Sequence, residues 1–234
     1  HDRVFGFFEI WDSQVERDYD PVEKRLLISL ATQTAITLEN ARLLEETGRH
    51  AHDLALLNDI TRAAVETTDL HELLQTLADR LGELFNADGC YLTLWDESRQ
   101  LAVPTAAYGP LREQYPKVII EPGEVTMTAS VLKTGHALAV EDVFNSPYNS
   151  PRIAALFPAK SMLGLPLVVG DNKIGAALVS FNQPHYFTPD ETALGEQAAA
   201  QIALAIAKAQ LFETTRRSAD ELKIVSDILR SLNE

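Results

Sequence analysis

Few residues in this chain have the type and spacing of a reaction centre. Its single cysteine, Cys90, sits in the apolar run Cys90 to Trp95, where a small buried thiol is expected rather than a nucleophile. One cysteine also excludes an internal disulfide and fits a reducing compartment. His50 and His52 lie two apart in a helical pattern, so they point to different faces and do not share a metal ion. Ser130-x-x-Lys133 has the spacing of a nucleophile and its base, yet a lysine is expected anyway at the helix end it occupies. A Gly-rich phosphate loop, an HExxH motif and a CxxC pair are all missing from the sequence. These residues predict a chain that is not an enzyme, with no catalytic residue and no metal site.

The charge balance removes a second class of function. Acidic residues number 34 against 20 basic ones, a net charge of −14, and no cluster of Lys and Arg stands out. Nucleic acid is therefore not an expected partner; the acidity reads as solubility and self-repulsion. Apolar residues make up 46% of the chain, enough for a real core. No apolar run approaches the ~18 residues of a membrane span, and the Ala-rich stretch after Thr192 is broken by Glu196, Gln197 and Gln201. His1-Asp2-Arg3 does not read as a signal peptide. A cytoplasmic location without membrane contact is expected.

Two long helices with matching sequences frame everything else. Asp20-Pro21-Val22-Glu23 returns as Thr188-Pro189-Asp190-Glu191, an offset of 189 − 21 = 168. At that offset Ala41-Arg42-Leu43-Leu44-Glu45 meets Ala209-Gln210-Leu211-Phe212-Glu213, and Leu54, Asp59 and Ile60 meet Leu222, Asp227 and Ile228. A repeat of that period is a whole domain plus its connector. Asp20 with Glu23 forms a capping box and Pro21 suits the first helical position. The helix from Pro21 to Val65 would run ~67 Å at 1.5 Å per residue, which suggests a connector. A 4-3 stripe through Ile36, Leu43, Leu54 and Leu57, and its counterpart through Leu204, Leu211 and Leu222, would form a parallel coiled-coil dimer seam. The same stripe also suits the core-facing side of a domain's terminal helix.

Between the helices the pattern changes. Val4 to Trp11 reads as a buried strand ahead of the first helix. Thr67-Thr68-Asp69 ends that helix, and Asp69 with Glu72 caps a second one striped by Leu70, Leu73, Leu74, Leu77, Leu81 and Leu84. Strands follow at Cys90 to Trp95 and Leu101 to Tyr108, then a helical turn at Leu111 to Tyr115 and a short strand at Val118 to Ile120. Thr126 to Lys133 reads as a helix closed by Gly135, and Ala137 to Glu141 as a strand. Asp142 to Pro158 is irregular. Met162 to Val169 and Ile174 to Phe181 form a hairpin, apolar on both parities and so covered on both faces. The fold class is α+β: an antiparallel sheet with helices on both faces, plus long connector helices.

That order, with particular segments in it, resembles a GAF domain from about Leu54 to Thr215. The segments are Ala87-Asp88-Gly89-Cys90-Tyr91-Leu92, Pro122-Gly123-Glu124, Val131-Leu132-Lys133-Thr134-Gly135 and Val140-Glu141-Asp142. Lys160-Ser161-Met162-Leu163-Gly164-Leu165-Pro166-Leu167 carries the most, followed by Lys173-Ile174-Gly175-Ala176 and Phe187-Thr188-Pro189-Asp190-Glu191. On this resemblance residues 1–47 are the end of a preceding GAF domain, 48–215 a complete one and 216–234 the start of a further connector. The resemblance implies a six-stranded or similar antiparallel sheet, a small-molecule pocket opposite the terminal helices, and a regulatory role upstream of an output domain such as a histidine kinase in a two-component system.

Three chemistries known in such domains can be tested on the residues. A cyclic-nucleotide site would carry Asn-Lys…Phe-x3-Asp-Glu; here Gln183 stands in the lysine position and only two residues separate Phe187 from Asp190. A covalent bilin needs a cysteine in the stretch before the hairpin, and Ser150 to Lys160 has none. Reduction of free methionine sulfoxide needs two cysteines. What remains is a pocket for an unnamed small molecule, with no cofactor assigned. Tyr91, Thr93 and Trp95 share one side of their strand; Phe144, Tyr148, Ile153 and Phe157 would roof the site, and Ser161, Ser180 and Asn182 would be polar contacts. The alternative is that these aromatics fill the space themselves. The expected function is a sensory module relaying a ligand's arrival through a helical homodimer. A ligand-free dimerisation spacer is the second reading, and a cyclic-nucleotide-binding domain the third.

Overall fold

The computed structural model describes residues 4, 6–11, 13, 18–66 and 69–231; within the two long helices the side chains of residues 46, 49–50, 52–53, 56–57, 59–61, 63–66 and 217–231 lie outside that description. The chain divides into two units, residues 1–54 and 55–234.

In the first unit the helix α1 (Pro21–Glu66) begins at the capping box that the sequence predicts. The Asp20 carboxylate accepts from the Glu23 N–H at 2.9 Å, and Glu23 accepts from the Asp20 N–H at 2.9 Å. The strand expected from Val4 to Trp11 is a correction. Its described residues form no strand, and Val4, Phe7 and Trp11 are 85%, 88% and 76% exposed. With no neighbouring strand among the described residues, the segment has no ladder to join, so apolar composition alone does not make it a strand. The expected stop of α1 at Thr67 and Thr68 lies outside the described residues.

The second unit is built on a five-stranded antiparallel sheet in the order β2-β1-β5-β4-β3. Its strands are β1 (Gly89–Asp96), β2 (Leu101–Tyr108), β3 (Leu138–Val140), β4 (Ser161–Val169) and β5 (Asn172–Phe181). The sixth strand does not form, because Val118–Ile120 lies outside the ladders. On one face lie α2 (Leu70–Leu84) and α5 (Pro189–Ser231). Asp69 caps α2 by accepting from the Glu72 N–H at 2.9 Å, and Thr188 with Glu191 caps α5 reciprocally. Leu73, Leu77 and Leu81 of α2 and Ala198, Ile202 and Ile206 of α5 meet Cys90, Leu92, Leu163, Leu165 and Val179 of the sheet.

The other face is covered differently. There α3 (Met127–Thr134), the short helix α4 (Pro151–Ala155) and a 3-10 turn, Tyr115–Lys117, pack on Tyr91, Met162, Ala176 and Leu178. Thr126 caps α3, and Gly135 closes it with φ +75°, a left-handed conformation that suits glycine. Helix α3 lies flat on β4 because Gly164 has no side chain. A Cβ there would stand 2.7 Å from Val131 Cγ1 and 2.8 Å from Met127 Cγ. Helix α4 corrects the reading of residues 142–158 as irregular. Ser150 caps it by accepting from the Ile153 N–H at 3.2 Å, and Pro151 occupies its first turn, a start signal that was present in the sequence.

Candidate functional site

Strand parity builds the floor of the site. Cys90 and Leu92 turn toward α2 and α5, so Tyr91 and Thr93 turn the other way. Between them and the α3–α4 side of the fold lies a cavity lined by Tyr91, Thr93, Tyr115, Met127, Asn149, Ile153, Phe157 and Met162, among others. The empty space amounts to about 470 Å³ counting its open mouth. Three rings pack together in its wall. Tyr91 and Tyr115 stand 4.9 Å apart between centroids, and Phe157 meets Tyr91 edge-on at 5.0 Å and Tyr115 at 5.9 Å.

The buried hydroxyls of the floor are tied. Thr93 Oγ1 and the Tyr115 hydroxyl form a short hydrogen bond. Burial pushes the Tyr115 phenol far above its ordinary range, with the Thr93 bond opposing. Burial likewise raises Tyr91 to about 12, opposed by a hydrogen bond with Ser180. Both phenols are neutral at any ordinary pH, and no residue lining the cavity carries a charge.

The roof is pinned at its rim. Glu124, just before α3, accepts from Ser150 Oγ at 2.8 Å, from Arg152 Nε at 2.8 Å and from Arg152 Nη2. The Glu121 N–H donates to the same carboxylate at 3.2 Å. These donors, Arg152 first, lower the Glu124 carboxyl from 4.5 to about 2. Further along, Asn149 Oδ1 accepts from the Met127 N–H at 2.8 Å, Ser130 Oγ donates to the Tyr148 carbonyl at 3.2 Å, and the Ser150 N–H donates to the Val125 carbonyl at 2.8 Å. Residues 148–152 are thus held to 124–130 by both main chain and side chain.

Of the ten pocket residues named from sequence, Tyr91, Thr93, Ile153 and Phe157 line the cavity. The other six stand elsewhere. Trp95 is half-buried with its Nε1 donating to Glu97 at 2.6 Å. Phe144 is 55% exposed, and Tyr148 is half-buried against the cluster beneath the roof. Ser161 is consumed by the backbone, donating to the Glu141 carbonyl at 2.8 Å and accepting from the His185 N–H at 2.9 Å. Ser180 donates to the Gly89 carbonyl at 3.1 Å, and the Asn182 N–H donates to Asp88 at 2.7 Å. Sequence reasoning missed Tyr115, Met127 and Asn149, whose convergence depends on the tertiary path of loops rather than on any local pattern. The Glu124–Arg152 pair was equally silent, its partners lying 28 residues apart.

The helix residues named for a seam are exposed where described. In the first unit these are Ile36 (57%), Leu43 (46%) and Leu54 (59%). In the second, Leu204 and Leu211 face away from the buried side of α5, at 54% and 69%. The side chains of Leu57 and Leu222 lie outside the described residues. Cys90 is fully buried, and burial pushes its thiol far up. Among the described residues no group of three or more His, Cys, Asp or Glu is placed to hold a metal, and no helix is long and apolar enough to cross a membrane.

Comparison with known proteins places this architecture. Residues 67–207 match the family model of the GAF domain. No curated protein matches the chain. Among solved structures, the GAF domain of a phosphoenolpyruvate-protein phosphotransferase from Coxiella burnetii superposes with a TM-score of 0.61 at 23% identity, covering 69% of this chain and 96% of that one. The corresponding domain from Acinetobacter gives 0.59 at 21%, covering 70% and 98%. A free methionine-R-sulfoxide reductase from Neisseria meningitidis, in complex with its substrate, gives 0.58 at 19%, covering 69% and 92%. At these identities the likeness is one of fold.

Proposed function

The chain belongs to the GAF domain family, and from that premise we propose that it is a regulatory sensory module of a cytoplasmic signal-transduction protein, a histidine kinase or similar. The observation that carries the reading is the cavity between the sheet and a roof pinned by side chains. Its lining is apolar with a few hydroxyls and one amide, the composition of a small-molecule site. A ligand there displaces the roof from α3 and strains β4 through the Val131–Gly164 contact. Strand β4 packs on its other face against α5. Two copies joined along the faces marked by Leu43, Leu54, Leu204 and Leu211 would feel the change as a shift in helix pose. Such a relay requires the ligand to prefer one of two helix arrangements.

The ligand-free spacer has one observation in its favour: the Tyr91, Tyr115 and Phe157 rings already pack against one another in the cavity wall. A cyclic nucleotide gains no support, since its phosphate would find no Lys or Arg in the lining, and Asp190 and Glu191 serve the start of α5. Native mass spectrometry followed by a thermal-shift screen separates sensor from spacer. A retained small molecule, or reproducible stabilisation by one, supports the sensor; silence across a broad screen supports the spacer. The pairing has a separate test. Leu43→Glu with Leu54→Glu should sediment as a monomer where the parent sediments as a dimer, and an unchanged mass removes the seam.

A further inference from the structure

The lining that supports a ligand site also restricts its chemistry, and this inference rests on the sensory reading above. A charged molecule in the cavity would be buried without a counter-ion, a penalty that a neutral one avoids. Several polar groups in the lining are already committed: Thr93 and Tyr115 bond to each other, and Thr126 Oγ1 accepts from the Ala129 N–H.

Asn149 is different. It is 9% exposed, and its Oδ1 is taken by the Met127 N–H. That bond fixes the orientation of the amide, leaving Nδ2 as a pure donor. Among the described residues none accepts from Nδ2, and Asn149 lines the cavity. A ring already lines the same cavity, because Phe157 packs edge-on against Tyr91 and tilted against Tyr115. Phe157 lies just past the C-terminal end of α4, on the rim of the roof, and is half-buried.

We propose that the cavity receives a small, uncharged, ring-bearing carbonyl compound, whose oxygen accepts from Asn149 Nδ2 and whose ring takes the place now filled by Phe157. The protein's own side chain is the competitor for the ligand. Affinity is therefore set by the difference between the two rings plus the one hydrogen bond, which is worth about fivefold.

Binding of three probes to the full chain, measured by calorimetry and ligand-observed NMR, tests this. Acetophenone carries the ring and the acceptor, α-methylstyrene has the same shape without the acceptor, and benzoate adds a charge. Acetophenone should bind about fivefold or more tightly than either. Phe157→Ala should strengthen acetophenone binding by about tenfold or more, since the competing ring is gone; Phe157→Leu serves if the alanine variant does not fold. Asn149→Asp, which still accepts from the Met127 N–H but cannot donate, should bind acetophenone no better than α-methylstyrene. Equal binding of the ketone and the alkene by the parent, or a preference for benzoate, overturns this inference while leaving a ligand site in place. Silence from all three probes toward a folded Phe157 variant also overturns this inference, and the broad screen above then decides the sensory reading.

Discussion

Replacing Glu124 by Gln isolates the tie that pins the roof. The carboxylate accepts from Arg152, Ser150 and the Glu121 N–H, and its pKa falls from 4.5 to about 2. At about 1.36 kcal/mol for each tenfold change in proton affinity, that difference sets a ceiling of about 3.4 kcal/mol. The Glu124 side chain is 9% exposed but Arg152 is 45% exposed, so solvent screens the pair and about 1–2 kcal/mol is the working figure. The sign follows from the lowered pKa: the contribution is complete above about pH 4.5 and fades as pH falls toward about 2. Urea denaturation of parent and Glu124→Gln at pH 7, 5 and 3.5 should show the full deficit at the first two values and a smaller one at the third. Hydrogen exchange at pH 7 should also show faster exchange at Ser150 and Ala154. A deficit that does not change with pH, or none at pH 7, refutes the assignment of Glu124 as a charged anchor of the roof.

Two further outcomes follow from the buried groups. Thr93→Val keeps the shape of the floor but strands the Tyr115 hydroxyl, so it should cost about 1–3 kcal/mol in urea denaturation; a change near zero would mean that the hydroxyl finds another partner. Cys90 should resist thiol reagents in the native protein and react fully in denaturant, since the buried thiol is held protonated. Native labelling at the rate of a free thiol would contradict its burial.

The parts of this fold legible in the sequence were those with local chemical causes. The Asp69–Glu72, Thr126–Gly135 and Thr188–Glu191 signals mark helix ends by hydrogen bonds between near neighbours. Strand β2 falls at Leu101–Tyr108 because turn residues bound it on both sides. Val4–Trp11 and Val118–Ile120 show the limit, since apolar β-branched and aromatic residues make a strand only where a neighbouring edge accepts them. In the site, alternation placed Tyr91 and Thr93 on the correct face of β1. The same alternation left Trp95 tied to Glu97 rather than in the cavity. Ser161 and Ser180 illustrate a second limit: a buried hydroxyl suits a ligand and a backbone carbonyl equally, and here the carbonyls of Glu141 and Gly89 take them. Tyr115 and Asn149 reach the cavity through loops whose path no periodicity encodes.

The relay itself is tested most directly by dipolar electron spin resonance on Lys208→Cys carrying a spin label. Lys208 is exposed on α5 between Leu204 and Leu211, and the native Cys90 is buried beyond the reagent's reach. The account predicts a defined distance between labels on two copies, and a shift of that distance when acetophenone saturates the cavity. No coupling between labels, or a distance that saturating ligand leaves unchanged, contradicts it.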